Sequence, residues 1–434
     1  MYNKYFASRY RLLFFLGVLL SVDVAIAVEV IPARVERKPV LNEEDSNPFD
    51  DYGISVAYEG DTVFIGAPFD DALGVNSGAV YVYSRNNNEW IRQQKITASD
   101  LAPGDQFGWS VALSGNTALI SARFDDDKGF NSGSVYVFVF EQGRWREETK
   151  LTASDGNSTD QFGHALALQG DSAVISAPYT EEPGTNAGAV YIFDRSGGVW
   201  HEKQRLAAPD AASDDQYGGS LALDENHLLI GSRFDDDKGY NSGSVHFYEL
   251  KNGVWQLRQK LAADDGDVND QFGWSVALNG NTAVIGARFD DDGGVNSGSV
   301  YFAGYEKGKW AIQQKFTVPE FRVGARYGWS VQVEGGHAVV GAPFDNDRGQ
   351  NAGAVYIYSR REGAWYLHQK LTASDASTGE RYGIRTAISG GNILVGAYQD
   401  YEKGALRGAS YVQVYSTKQW RESIKLLASD GAGQ

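Results

Sequence analysis

The chain of 434 residues contains no cysteine. That excludes disulfides, thiol catalysis, thiolate metal sites and a lipidated N-terminal cysteine. Packing and hydrogen bonds must hold the fold, and a chain of this length can bury enough surface for that. Histidine is scarce: the six residues His164, His201, His227, His246, His337 and His368 show no ligand spacing. Beyond the N-terminus no apolar run approaches the roughly 20 residues that cross a bilayer. Positive charge is in deficit, with a formal net charge of −17 at pH 7. Nucleic acid and anionic surfaces are therefore poor partners, and cations, basic partners or neutral glycans are better ones. Solubility alone produces the same bias.

The N-terminus has a character of its own. Lys4, Arg9 and Arg11 precede an apolar stretch from Leu12 to Leu20, and small residues around Ala25-Ile26-Ala27 follow. This is the pattern of a secretory signal cleaved before Val28. Asp23 and the short apolar run argue against a membrane anchor. We therefore expect residues 1–27 to be a signal peptide, 28–48 a lead segment and 49–434 the folded domain of an exported protein. Its compartment would be periplasmic, cell-surface or extracellular.

What is abundant is repetition. Trp90, Trp145, Trp200, Trp255, Trp310, Trp365 and Trp420 are spaced by 55 residues, and Gly53 to Gly383 keep the same step. One supersecondary unit is thus copied seven times. The second copy predicts strands at Trp109–Leu113, Thr117–Ala122, Ser134–Phe140 and Trp145–Leu151, split by Gly/Asn/Asp turns. Four antiparallel strands in each of seven units predict an all-β, seven-bladed β-propeller. Arg146, Glu148 and Lys150 alternate along the fourth strand, which suits a solvent-facing outer edge. The last copy has its own fourth strand, so ring closure is left open.

At these residues the chain resembles the FG-GAP repeat family, known from the N-terminal propellers of integrin α subunits and from secreted bacterial repeat proteins. The FG element stands at Phe107-Gly108, Phe162-Gly163 and Phe272-Gly273, with Tyr-Gly variants elsewhere. The GAP element is intact at Gly66-Ala67-Pro68 and Gly341-Ala342-Pro343. It is relaxed at Ser176-Ala177-Pro178, Ser121-Ala122-Arg123, Gly286-Ala287-Arg288 and Gly231-Ser232-Arg233. The resemblance implies an extracellular propeller, adhesion or ligand recognition, and calcium. Integrin-type calcium loops lie between FG and GAP. Here that connection is a tight turn such as Ser114-Gly115-Asn116, so those ligands do not carry over.

Acidic loops stand instead between the second and third strands, with the pattern D-x-D-x-G-x-N. Candidate calcium ligands are Asp70 and Asn76; Asp125, Asp127 and Asn131; Asp235, Asp237 and Asn241; Asp290, Asp292 and Asn296; and Asp345, Asp347 and Asn351. Alternate oxygen side chains around a glycine turn suit a hard cation. The competing reading is a turn in which Asp and Asn cap their own backbone. Copies three and seven break the pattern, at Tyr179-Thr180-Glu181 and Tyr398-Gln399-Asp400.

Antiparallel connectivity puts these loops and the blade-to-blade links on one face of the disc. That face should be negative in blades one to five, and Arg322, Arg326, Arg381 and Arg385 make blades six and seven different. Trp109, Trp274 and Trp329, each following an FG-type glycine, are candidate ligand-rim residues; inter-blade core is the alternative. No catalytic constellation emerges. The expectation is a non-enzymatic recognition or adhesion module for an extracellular protein or glycan. The alternatives are a polysaccharide hydrolase or lyase and a structural envelope or matrix component. Oligomeric state is not legible.

Overall fold

The computed structural model describes residues 49–87, 89–319, 322–402 and 405–428. The expected signal peptide and lead segment lie outside the described residues. Seven four-stranded antiparallel sheets follow one another, their strands paired in chain order; in blade seven a short hairpin, Tyr401–Glu402 with Ala405–Leu406, stands between the second and third strands. In the second blade the strands are Phe107–Ser114, Thr117–Ala122, Ser134–Glu141 and Arg144–Leu151. The second strand has the expected bounds, the first is longer by three residues, and the third and fourth by one each. First strands contact first strands from blade to blade, and that of blade seven contacts that of blade one. The first strands therefore form the inner ring of a seven-bladed propeller.

Every sheet is buried on both faces. Seven apolar clusters occupy the seven junctions between neighbouring blades. Val111 and Leu113 pack towards blade one, whereas Ala112 packs towards blade three. The periodic tryptophans seal these junctions: Trp145 lies edge-on to Phe64 of the preceding blade at 4.8 Å. A glutamine of the preceding blade clasps the peptide of most of them. Gln259 donates to the Trp310 carbonyl at 2.8 Å and accepts from its N–H at 3.0 Å. Thr149 and Ile424 stand where blades two and seven would carry that glutamine.

The alternation of Phe-Gly and Tyr-Gly has a packing reason. The aromatic faces a third-strand residue 31 positions later. Phe107 meets Phe138, whereas Tyr217 shares a 2.8 Å hydrogen bond with Tyr248 and Tyr382 accepts one from Gln413 at 3.1 Å. At this position a hydroxyl appears only where the third strand supplies a polar partner. The glycine that follows is required by conformation. Gly108 has φ +90°, and a Cβ there would lie 2.7 Å from the Ala79 carbonyl oxygen of blade one. The repeated serine two residues on is structural: Ser275 Oγ donates to the Gly328 carbonyl of the next blade at 2.8 Å.

Blade seven is built entirely from its own strands, Arg385–Ser389, Asn392–Ala397, Ala409–Ser416 and Gln419–Leu426. Among the described residues the ring closes by packing and not by strand exchange. Tyr58, Ile65 and Tyr81 of blade one pack with Ala387, Leu394 and Val412 of blade seven. The Tyr83 hydroxyl donates to the Leu427 carbonyl at 2.6 Å.

Candidate functional site

The acidic loops are built around lysine. The register of the third and fourth strands shifts between Val137 and Phe138, which sets Lys150 opposite Tyr136 while Arg146 stays opposite Val139. This bulge corrects the expected alternation: Lys150 moves to the opposite face from Arg146 and turns inward. Its ammonium lies 2.7 Å from Asp125, 2.5 Å from Asp127 and 3.0 Å from Asp100. The same ion pair joins Lys95 to Asp70, Lys260 to Asp235, Lys315 to Asp290, Lys370 to Asp345 and Lys425 to Asp400, at 2.6–3.0 Å. Burial opposes the Lys150 charge, but the hydrogen bonds it donates to Asp125, Asp127 and Asp100 outweigh it and raise its pKa.

The first aspartate of each loop has its oxygens surrounded by donors. Asp125 Oδ1 accepts from the Asp127 N–H and the Ser134 hydroxyl; Oδ2 accepts from the Tyr136 hydroxyl and Lys150. The loop asparagines Asn76, Asn131, Asn241, Asn296 and Asn351 take left-handed φ of 51–56°. Their backbone N–H groups bond the side chain of the second loop position, as Asn131 does with Asp126 at 2.6 Å. Calcium takes six to eight oxygens. Here an ammonium already stands among the carboxylates, and the loop follows the Asx-turn pattern. This donor set does not fit a calcium ion. Among the described residues, no group of three or more histidine, aspartate or glutamate side chains is arranged to hold a metal. In blade three Thr180 replaces the buried aspartate, and Arg205 replaces the lysine and pairs with Asp155.

The loop tips point outward. Val75, Phe130, Tyr240 and Val295 occupy one repeat position and are 67%, 66%, 65% and 56% exposed. Their backbones are pinned: the Phe130 carbonyl accepts from Thr159 at 2.7 Å and that of Tyr240 from Asn269 at 2.8 Å. Large apolar side chains thus stand on a fixed frame around the face. The repeat position was visible in the sequence, and exposed hydrophobes at a turn glycine were the missed signal.

At the inner end of the same face, the three candidate rim tryptophans are half-buried and belong to none of the seven clusters. They stack on guanidinium groups. Arg123 lies 3.1 Å from the Trp109 ring centroid and Arg288 lies 3.1 Å from that of Trp274. Arg233 approaches Trp274 from the neighbouring blade at 4.7 Å, and Trp274 meets Trp329 at 5.2 Å. Arg326 and Arg381 share Phe344 at 4.1 and 5.1 Å. Glutamines fix the first three arginines by their Nε: Gln106 holds Arg123, Gln216 holds Arg233 and Gln271 holds Arg288, at 2.8–3.0 Å. Gly219 leaves room for Arg233, whose Cδ lies 3.2 Å from where a Cβ would stand.

Burial disfavours the charge on Arg288, and Arg233, Arg326 and Arg385 add to it. Arg385 is likewise disfavoured by burial and then by Arg233, although it comes from blade seven. An arginine keeps its proton in a protein, so these charges persist side by side. Burial, then Arg233, Arg123 and Arg385, depress the His164 pKa well below its usual value and keep that imidazole neutral. Burial raises the Asp51 carboxyl to about 7 despite Arg381 nearby. The expected two-toned face is therefore concentric: acidic loops outside, arginines and aromatics at the centre. The expected division by blades missed Arg123, Arg233 and Arg288. Gln and Arg recurring 17 residues apart in copies two, four and five could have shown them.

A family model described as FG-GAP repeat matches residues 40–83, 90–138, 145–193, 200–248, 255–302, 310–358 and 365–413. Human integrin alpha-11 is 27% identical over 233 residues, 47% of this chain and 19% of that protein. The match thus spans about a fifth of that relative. A solved structure from Bacteroides fragilis carrying the name 6-phosphogluconolactonase superposes with TM-score 0.54 at 12% identity, covering 81% of this chain and 91% of that one. At that identity it shows the fold alone.

Proposed function

We propose a recognition function for this chain, which belongs to the FG-GAP repeat family. The module is exported and non-enzymatic, and it binds a protein partner with the face that carries the strand two–three loops. The observation that carries this reading is the crown of Val75, Phe130, Tyr240 and Val295, exposed on pinned loops at one level of the ring. A folded protein keeps large apolar side chains in water at a rigid, repeated position when a partner covers them. Aromatic and apolar anchors inside a polar rim are how protein interfaces are built. Lysine, not calcium, holds the loops in this reading, so recognition needs no metal.

The test uses the mature chain and a Phe130→Ser, Tyr240→Ser, Val295→Ser variant against phage-displayed peptides and a polysaccharide panel. Peptides selected on the native protein should lose at least tenfold in affinity on the variant, with millimolar calcium or a chelator changing neither result. Equal retention on the variant would sink the reading. New reducing ends released from a polysaccharide would replace it with the hydrolase alternative.

A further inference from the structure

Six arginines reach the mouth of the central ring: Arg123, Arg233, Arg288, Arg326, Arg381 and Arg385. Among the described residues none of them has a carboxylate within ion-pair distance, although aspartate and glutamate outnumber lysine and arginine by 56 to 39 in the chain. In the loops of the same face the fold pairs its partly buried lysines closely, as the six lysine clamps show. Arg233 is only 7% exposed and still lacks a counterion. A buried guanidinium without an anion is costly unless something supplies one.

Further polar atoms around the mouth lack partners. Trp329 Nε1, His164 Nδ1 and Arg381 Nε are buried without a hydrogen-bond partner. The glutamines bind Arg123 and Arg288 through Nε, and no protein acceptor meets their terminal nitrogens. Those nitrogens form the end-on fork that grips an oxyanion with two parallel bonds. The aromatic faces are already covered by guanidinium, which leaves no platform for a sugar ring.

The surroundings narrow the ligand further. Asp71, Asp126, Asp236 and Asp291 are exposed around the periphery. An acidic polymer lying across the face would be repelled by them. A single acidic side chain inserted from above avoids that ring, and the apolar crown contacts the residues beside it. We propose that the mouth is a receptor for one carboxylate, an aspartate or glutamate side chain presented by an apolar-flanked segment of the partner protein. The proposal rests on the recognition reading above and names the chemistry that the partner brings.

Two synthetic pools of short peptides test it, identical in their randomised apolar flanks and differing only in a central glutamate or glutamine. Binding is read by fluorescence anisotropy on the intact mature chain. The glutamate pool should bind at least tenfold tighter than the glutamine pool, and more weakly as salt rises. Arg288→Gln and, separately, Arg326→Gln should each reduce the preference by about tenfold, the worth of one charge-assisted fork. Arg288→Lys, which keeps the charge and loses the fork, should recover only part of it. An unchanged melting temperature shows that each variant is folded, and the second arginine serves if the first variant is not. Equal binding of both pools overturns the carboxylate site but leaves recognition standing if the crown variant abolishes that binding. No binding of either pool overturns the site, and a preference for polygalacturonate over both pools replaces the peptide with an acidic glycan.

Discussion

Asp125 and Lys150 show how one pair can set a loop. The Asp125 side chain is 3% exposed and carries four donors, of which only Lys150 is a cation. Lys150→Met would leave a buried carboxylate with no counterion and should cost about 3–5 kcal/mol, read as a lower urea midpoint. In an Asp125→Asn background the same change should cost far less, giving a coupling of about 2–3 kcal/mol in the double-mutant cycle. Additive effects would mean that the pair is incidental. The aspartates and the lysine were each visible as periodic residues. Their pairing was not, because simple alternation put Lys150 on the wrong face and the bulge that corrects it follows from strand register. Trp109, Trp274 and Trp329 were legible as special by position. That their ring faces carry arginine depended on tertiary contacts: Arg123 and Arg288 lie 14 positions after Trp109 and Trp274, and Trp329 meets Arg288 of the neighbouring blade at 4.6 Å.

Between blades the glutamine clasp is the recurring device. Gln204, Gln259, Gln314 and Gln369 each bond both groups of one tryptophan peptide in the next blade. Gln259→Ala leaves the Trp310 N–H and carbonyl unpaired at a part-buried junction and should cost about 1–3 kcal/mol. Thr149→Gln, which installs the clasp facing Trp200, should raise the melting temperature of the intact chain. A loss of stability there would show that the native contacts at this junction, Trp200 Nε1 to Glu148 at 3.2 Å and Arg195 to Glu148 at 3.0 Å, exclude it. Strand positions were legible because turn residues punctuate every copy. The clasp was not, since a glutamine on an outer strand reads as solvent-facing polarity.

Over the whole ring, the junctions are unequal. Between blades four, five, six and seven each junction has both the glutamine clasp and the serine-to-glycine bond. At the junction of blades seven and one, Ile424 replaces the glutamine and Arg385 replaces the serine. Trp90 is only half-buried there, whereas Trp365 and Trp420 are 1% exposed. Sub-global opening should begin at this seam. Hydrogen exchange should find the amides of Ser55–Glu59 and Arg385–Ser389 less protected than those of Phe272–Asn279. Equal protection around the ring would refute a weak seam.

The sequence by itself determined the count of blades, the strands within each and the side of the disc on which loops gather. Those follow from local pattern repeated seven times, which each copy carries whole. The tertiary structure decided what the loops and the mouth are made of. A lysine enters the acidic loop only through a bulge, and arginines from blades two, four, five, six and seven meet only because the ring brings distant copies together. Closing the ring sets charges of one sign side by side at its centre, a consequence of geometry that no single repeat contains.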